Sequence, residues 1–231
     1  MPVPRARFRP PRLSTAPVLA LALGLSAAPV RACDTALVLA IDVSGSIDSA
    51  DYRLQTEGLL AALSDPGVVE ALVRGEVALA VVQWSGADQQ ALSLPWQRML
   101  SPGAVSAFAD RAAAMPRAFS GSDTAVGQAL RFAQAQFDAV PDCVHRVIDV
   151  SGDGQENSGF TDAKARAEAV AARVMINAIA IEDPGPAAPI TSYYQRRIVT
   201  PGGFVMTARG LQDYAGTLRL KLLRELAEPI G

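Results

Sequence analysis

Residues 35–46 read TALVLAIDVSGS. Seven apolar or β-branched residues, Thr35 to Ile41, run without a charge. Then Asp42, Ser44 and Ser46 place one carboxylate and two hydroxyls at alternate positions. A short continuous apolar run closed by a turn signal is a buried strand, of the kind found inside parallel sheets. Gly45 supplies a tight backbone path after it. Three hard oxygen donors within five residues suit a hard divalent cation. By residue usage alone, D-x-S-x-S should arise in on the order of one in twenty chains of this length, so it needs support from elsewhere.

That support depends on what surrounds the strand. Glu76–Trp84 reads as a second strand, Gln89–Trp96 as a third with edge-like alternation, Val144–Val150 as a fourth, Met175–Ile181 as a fifth and Gly203–Thr207 as a short sixth. Between them lie helical patterns. The first is capped by Asp48 or Ser49, with Tyr52, Leu59, Leu60 and Leu63 on its apolar face. An Ala-rich helix covers Pro102–Met115, and another covers Thr124–Phe137, with Val126, Leu130, Ala133 and Phe137 on one side. Thr161 is placed to cap a helix with face Ala163, Ala167, Val170 and Val174. A last helix over Leu211–Leu226 has Leu211, Leu218, Leu222 and Leu226 on one side. Strand–helix alternation of this kind predicts a doubly wound, Rossmann-like α/β domain. It has a six-stranded, mostly parallel sheet with helices on both faces and one antiparallel edge strand.

In such a sheet, ligands bind beyond the carboxyl ends of the strands, where strand order reverses. The fourth strand ends in Ser151-Gly152-Asp153-Gly154, which brings a second carboxylate. The loop Ser120-Gly121-Ser122-Asp123-Thr124 brings another hydroxyl to the same edge. If strands one and four are neighbours, Asp42, Ser44, Ser46, Thr124 and Asp153 converge. The chain has one histidine, His145, at the opposite end of strand four. That argues against an imidazole-rich zinc site. Asp149 lies inside strand four, too far from Asp153 along an extended chain to share an ion with it.

The stretches LVLAIDVSGSI (37–47), TAVGQAL (124–130) and VIDVSGDG (147–154) together resemble the three parts of the metal-ion-dependent adhesion site of von Willebrand factor A-type domains. The resemblance spans about 35–227. SGDGQEN, the cysteine before strands one and four, and YYQRRIVTPGGFVMTA (193–208) are similar to a bacterial family of short secreted proteins that carry this domain and have no assigned function. The resemblance implies that Ser44, Ser46 and Thr124 hold the ion directly and that Asp42 and Asp153 act through water. It implies Mg²⁺ or Mn²⁺ as the ion, with Ca²⁺ behind them. Neutral hydroxyls leave the cation hungry for one more anionic oxygen, which a carboxylate of a partner protein can supply. Ser122 and Asp123 depart from the family pattern, and Asp123 adds a carboxylate beside Thr124.

Residues 1–32 hold five arginines, no acid and an apolar stretch at Ala16–Ala28, followed by Val30-Arg31-Ala32. This reads as a signal peptide, with residues 33–231 as the mature domain, periplasmic or secreted. A lipid-anchored Cys33 is the alternative. Removing the segment takes five of the 21 basic residues and none of the 23 acids, leaving net −7. An acidic chain without a basic run is a poor nucleic-acid binder, and the mature chain offers no membrane span. Two functions compete: an adhesion-type module that binds a partner carboxylate through the cation, and a metal-assisted hydrolase. The second lacks a convincing catalytic base, so the chain reads as a non-enzyme.

Cys33 and Cys143 are the only cysteines. Cys33 precedes Asp42 by nine residues, and Cys143 precedes Asp153 by ten. Equal steps back from two adjacent points on neighbouring parallel strands end at adjacent points, so the spacing predicts a Cys33–Cys143 disulfide at the edge opposite the metal.

Overall fold

All eight residues of β1 (Thr35–Asp42) are buried, because helices cover this strand from both sides. The computed structural model describes residues 1, 33–121, 123–182 and 189–227. The expected signal segment lies outside these residues, apart from Met1, and so does Ser122. β2 (Ala78–Trp84), β3 (Gln90–Arg98), β4 (His145–Gly152), β5 (Met175–Glu182) and β6 (Val205–Arg209) complete one sheet in the order β3-β2-β1-β4-β5-β6. All neighbours are parallel except β2 and β3, so β3 is the antiparallel edge strand that its alternation predicts.

Alternation along β1 divides the core in two. Ala36, Val38 and Ala40 face α4 (Val126–Ala135) and α5 (Asp162–Ala171), whose Ala129, Ala133, Ala165 and Ala169 permit close approach. Leu37, Leu39 and Ile41 face the other layer. That layer holds α1 (Ser49–Leu63), α2 (Pro66–Arg74), α3 (Pro102–Ala113) and α7 (Tyr214–Glu225). Asp48 caps α1, its carboxylate accepting from Ala50 and Asp51 amides, while Asp51 returns a bond to the Asp48 amide. A short α6 (Ile190–Tyr193) runs directly into a five-residue π-turn, Tyr194–Ile198.

Two local readings of α5 are corrected. The buried face is Ala165 and Ala169, continuing to Val174 below the helix; Ala163 and Ala167 are exposed and Val170 is 45% exposed. Five alternate alanines over 163–171 offer no size contrast, so the face is chosen by contact with α4 and not by hydrophobic period. Thr161 makes no capping bond; instead Glu156 Oε2 accepts from the Asp162 amide at 2.8 Å.

Asp149 lies on the α7 face of β4, and its partner is Lys221 of α7. The Nζ sits 2.7 Å from Asp149 Oδ1 and contacts Glu225 as well. All three side chains are at least 98% buried. Asn177 of β5 joins them, donating to Glu225 Oε1 at 2.6 Å. Two carboxylates share one ammonium. Burial, reinforced by Glu225, pushes Asp149 upward despite the opposing pull of Lys221. Lys221→Met keeps the volume but leaves two buried carboxylates without a cation, which should cost about 3–5 kcal/mol in urea unfolding at pH 7. The loss should shrink at pH 5, where Asp149, pushed upward by burial, regains its proton. A loss below 1 kcal/mol at pH 7 would contradict this role.

At the N-terminal end of β1, Cys33 is bonded to Cys143, with Cα atoms 4.4 Å apart and a sequence separation of 110. The spacing-based expectation holds: the β1–β4 register pairs Thr35 with His145, and the same offset carries Cys33 to Cys143. Chain entropy gives a loop of this length about 4–5 kcal/mol. Cys143→Ser should therefore lower the unfolding free energy by several kcal/mol, and the intact mass of the unreduced protein should be about 2 Da below that of the reduced protein.

Candidate metal centre

β1 lies where the strand order reverses, with β2 on one side and β4 on the other. The chain leaving β1 and the chain leaving β4 therefore meet above one crevice. The turn after β1 is tightly held. The Ser44 amide donates to Asp42 Oδ1 at 2.7 Å, and Ile47 N donates to the Ser44 carbonyl at 3.1 Å. Gln55 of α1 donates to the Asp42 carbonyl at 3.2 Å. Arg117 donates to the carbonyls of Val43 and Ser44 at 2.8 and 2.9 Å. A cation is thus spent on backbone oxygens, which leaves the site's side-chain oxygens facing inward.

Those oxygens form a connected set. Ser44 Oγ and Ser46 Oγ are 3.3 Å apart, Ser46 Oγ donates to Asp153 Oδ1 at 2.6 Å, and Thr124 Oγ1 donates to Ser44 Oγ at 3.4 Å. All five predicted residues come together: Asp42, Ser44 and Thr124 buried, Asp153 half-buried and Ser46 at the rim. The outward gradient matters, since it leaves one open side. Asp42 Oδ2 is buried without a hydrogen-bond partner among the described residues.

Electrostatics point the same way. Asp42 is raised to about 7, first by burial and then by the like charge of Asp153, against bonds from Ser44 and a weak pull from Arg117. Two acids and three hydroxyls lie together, and the like charge of Asp153 outweighs the pull of Arg117 at Asp42. That arrangement fits a hard divalent cation bound mostly through hydroxyls and water. Among the described residues no cluster of three or more His, Cys, Asp or Glu side chains forms, so this is a hydroxyl-rich site with two carboxylates.

Several supporting residues lie outside the five-donor pattern. Asn157 fixes Thr124 from both sides, its Oδ1 accepting from the Thr124 amide at 2.8 Å and its own amide donating to the Thr124 carbonyl at 2.9 Å. Glu156 reaches the starts of two helices, accepting from Gly127 N at 3.1 Å and Asp162 N. The Asp123 carbonyl accepts from Ser85 Oγ at 3.0 Å. Only the polar run Gln155-Glu156-Asn157, falling where neither strand nor helix demands it, hints at such a role.

The model of a family described as "Protein of unknown function (DUF1194)" matches residues 32–230. The chain belongs to this family. Its fold is that of a von Willebrand factor A-type domain. It overlays with a TM-score of 0.64 on proximal thread matrix protein 1 from the mussel byssus with a zinc-occupied MIDAS motif, at 19% identity, over 84% of this chain and 48% of that one. It overlays equally on a von Willebrand factor type A protein from Catenulispora acidiphila, TM-score 0.64, at 16% identity, over 85% and 44% of the two chains. The pilus adhesin SpaC of Lactobacillus rhamnosus GG gives a TM-score of 0.61 at 13% identity, over 84% and 30%. The chain spans about half or less of each of these proteins. No curated protein sequence matches it.

In the metal-free protein the raised Asp42 gives a signed pH effect. Its folded value near 7 lies above the unfolded value near 3.8, so the native state keeps a proton that the unfolded chain has released. Its contribution to stability is therefore full below about pH 4 and is lost as pH rises to about 7. In chelator, wild type should lose up to roughly 4 kcal/mol more than Asp42→Asn over that window. Parallel pH profiles for the two proteins would contradict the burial argument.

Proposed function

We propose that this domain is a metal-dependent protein-binding module acting outside the cytoplasm. In this reading Ser44, Ser46 and Thr124 bind Mg²⁺ or Mn²⁺ directly, and Asp42 and Asp153 hold it through water. The observation that carries the proposal is the connected set of three hydroxyls and two carboxylates, open on one side. When bound, the ion supplies one strongly electrophilic position for an anionic oxygen. The protein's own residues set how strong that position is: few charged groups touch the ion, so little of its charge is neutralised. Thr124, held by Asn157 and buried below the rim, completes the set of three hydroxyls.

The surface beside the site supports binding over catalysis. A cavity of about 380 Å³ lies along the loop that follows Asp153, with Glu156, Asp162, Tyr193 and Arg197 in its lining. Its two acids are already engaged. Glu156 accepts two backbone N–H bonds, and Asp162 takes a two-point ion pair from Arg197 at 2.7 and 3.2 Å. Burial pushes Asp162 up, but bonds from Arg197 and Tyr193 outweigh it and hold its carboxyl below the ordinary value. Neither acid is placed as a free base. The Cys33–Cys143 bond and the arginine-rich leader support export, with the domain starting near Cys33 after cleavage.

Calorimetric titration of the mature domain should show one Mg²⁺ site, lost in Asp42→Ala and Asp153→Ala with helicity unchanged. Capture of a natural partner should vanish in chelator, and Thr124→Ala should weaken capture more than ion binding. Capture indifferent to chelator would overturn the binding reading; unchanged Mg²⁺ affinity in Asp42→Ala would overturn the site.

A further inference from the structure

Tyr194 opens the π-turn after α6, and it is fully buried. Its hydroxyl has no hydrogen-bond partner among the described residues, and the same is true of Asp42 Oδ2. A buried phenol normally finds a partner, and so does a buried carboxylate oxygen. Both orphans face the same spot. A methyl group placed on Gly152 would sit 2.6 Å from the Tyr194 hydroxyl and 2.9 Å from Asp42 Oδ2. The two oxygens are therefore within about 5.5 Å of each other, the sum of those distances and the reach of two hydrogen bonds to one shared water. A Cβ at 152 would stand closer than 3.0 Å to both oxygens, so a side chain there would have to displace one or both of them.

Tyr194 is also rigidly held. Its carbonyl accepts from Val199 N at 3.0 Å, closing the π-turn, and its ring meets that of Tyr193 edge-on at 5.5 Å. Tyr193 in turn donates to Asp162 Oδ2 at 2.9 Å and accepts from the Glu156 amide at 3.2 Å. Asp162 is clamped by Arg197. The YYQRR segment is thus tied into the loop that carries Asp153. Single-turn π distortions of helices are often found where a side chain must be aimed at a functional site.

We infer that Tyr194 is a positioning residue for the ion site: its hydroxyl donates a hydrogen bond to one water that in turn donates to Asp42 Oδ2, and so fixes that carboxylate while Oδ1 is held by the Ser44 amide. This rests on the metal reading above. Groups that orient a metal-holding side chain in this way typically contribute 10–100-fold to affinity.

Tyr194→Phe keeps the ring and removes only the hydroxyl. By calorimetry with Mg²⁺ alone it should bind about 10–100-fold more weakly than wild type, with an unchanged circular dichroism spectrum. Gly152→Ala should show a similar loss, because its methyl would displace one or both of the same oxygens. A second measurement needs no ion. The ¹³Cζ resonance of Tyr194, assigned by elimination among the four tyrosines, reports its hydroxyl's hydrogen bonding and should move in metal-free Asp42→Ala. This also decides the matter if Tyr194→Phe does not fold. Wild type that binds no Mg²⁺ sinks the metal reading itself. Wild type that binds, with equal affinity in Tyr194→Phe or an unmoved Tyr194 resonance in Asp42→Ala, sinks only this inference.

Discussion

From Thr35 opposite His145 to Ile41 opposite Ser151, β1 and β4 run parallel in a single register. Both ends of the molecule depend on that pairing. At one edge it sets Cys33 beside Cys143. At the other it delivers Asp42, Ser44 and Ser46 to Asp153, with a hydroxyl-to-carboxylate contact of 2.6 Å. A slip of one residue would turn every β4 side chain to the opposite face, sending Asp149 away from Lys221. The covalent bond, the buried ion pair and the crevice therefore constrain one another.

The site is built in shells with different tasks. Backbone carbonyls are held by Arg117 and Gln55, so the turn after β1 is shaped before any ligand arrives. Hydroxyls and carboxylates then face inward with a deficit of positive charge, visible in the raised proton affinity of Asp42. Such preorganisation costs stability in the metal-free state, and a cation would offset that cost.

Much of this was legible in the sequence because burial on both faces leaves an unbroken apolar run, and because hydroxyls directly after such a run have few structural reasons to be there. The six strands, the antiparallel edge, the cysteine pair and the meeting of five oxygen donors all follow from that. The α5 face did not, since alternate alanines carry no amphipathic contrast. Nor did the Glu156 cap that replaces Thr161, the Lys221 partner of Asp149, or the placing of Tyr194 against Asp42. Each of these joins residues 6 to 152 positions apart through packing of helices, for which local patterns hold no signal.

The central claim is that one divalent cation sits among these hydroxyls. Anomalous scattering from crystals grown with Mn²⁺ tests it most directly. One strong peak is expected within direct bonding distance, about 2.2 Å, of Ser44 Oγ and Ser46 Oγ, with the carboxylates of Asp42 and Asp153 one water further out. A peak elsewhere, or none at this crevice at saturating Mn²⁺, would contradict it.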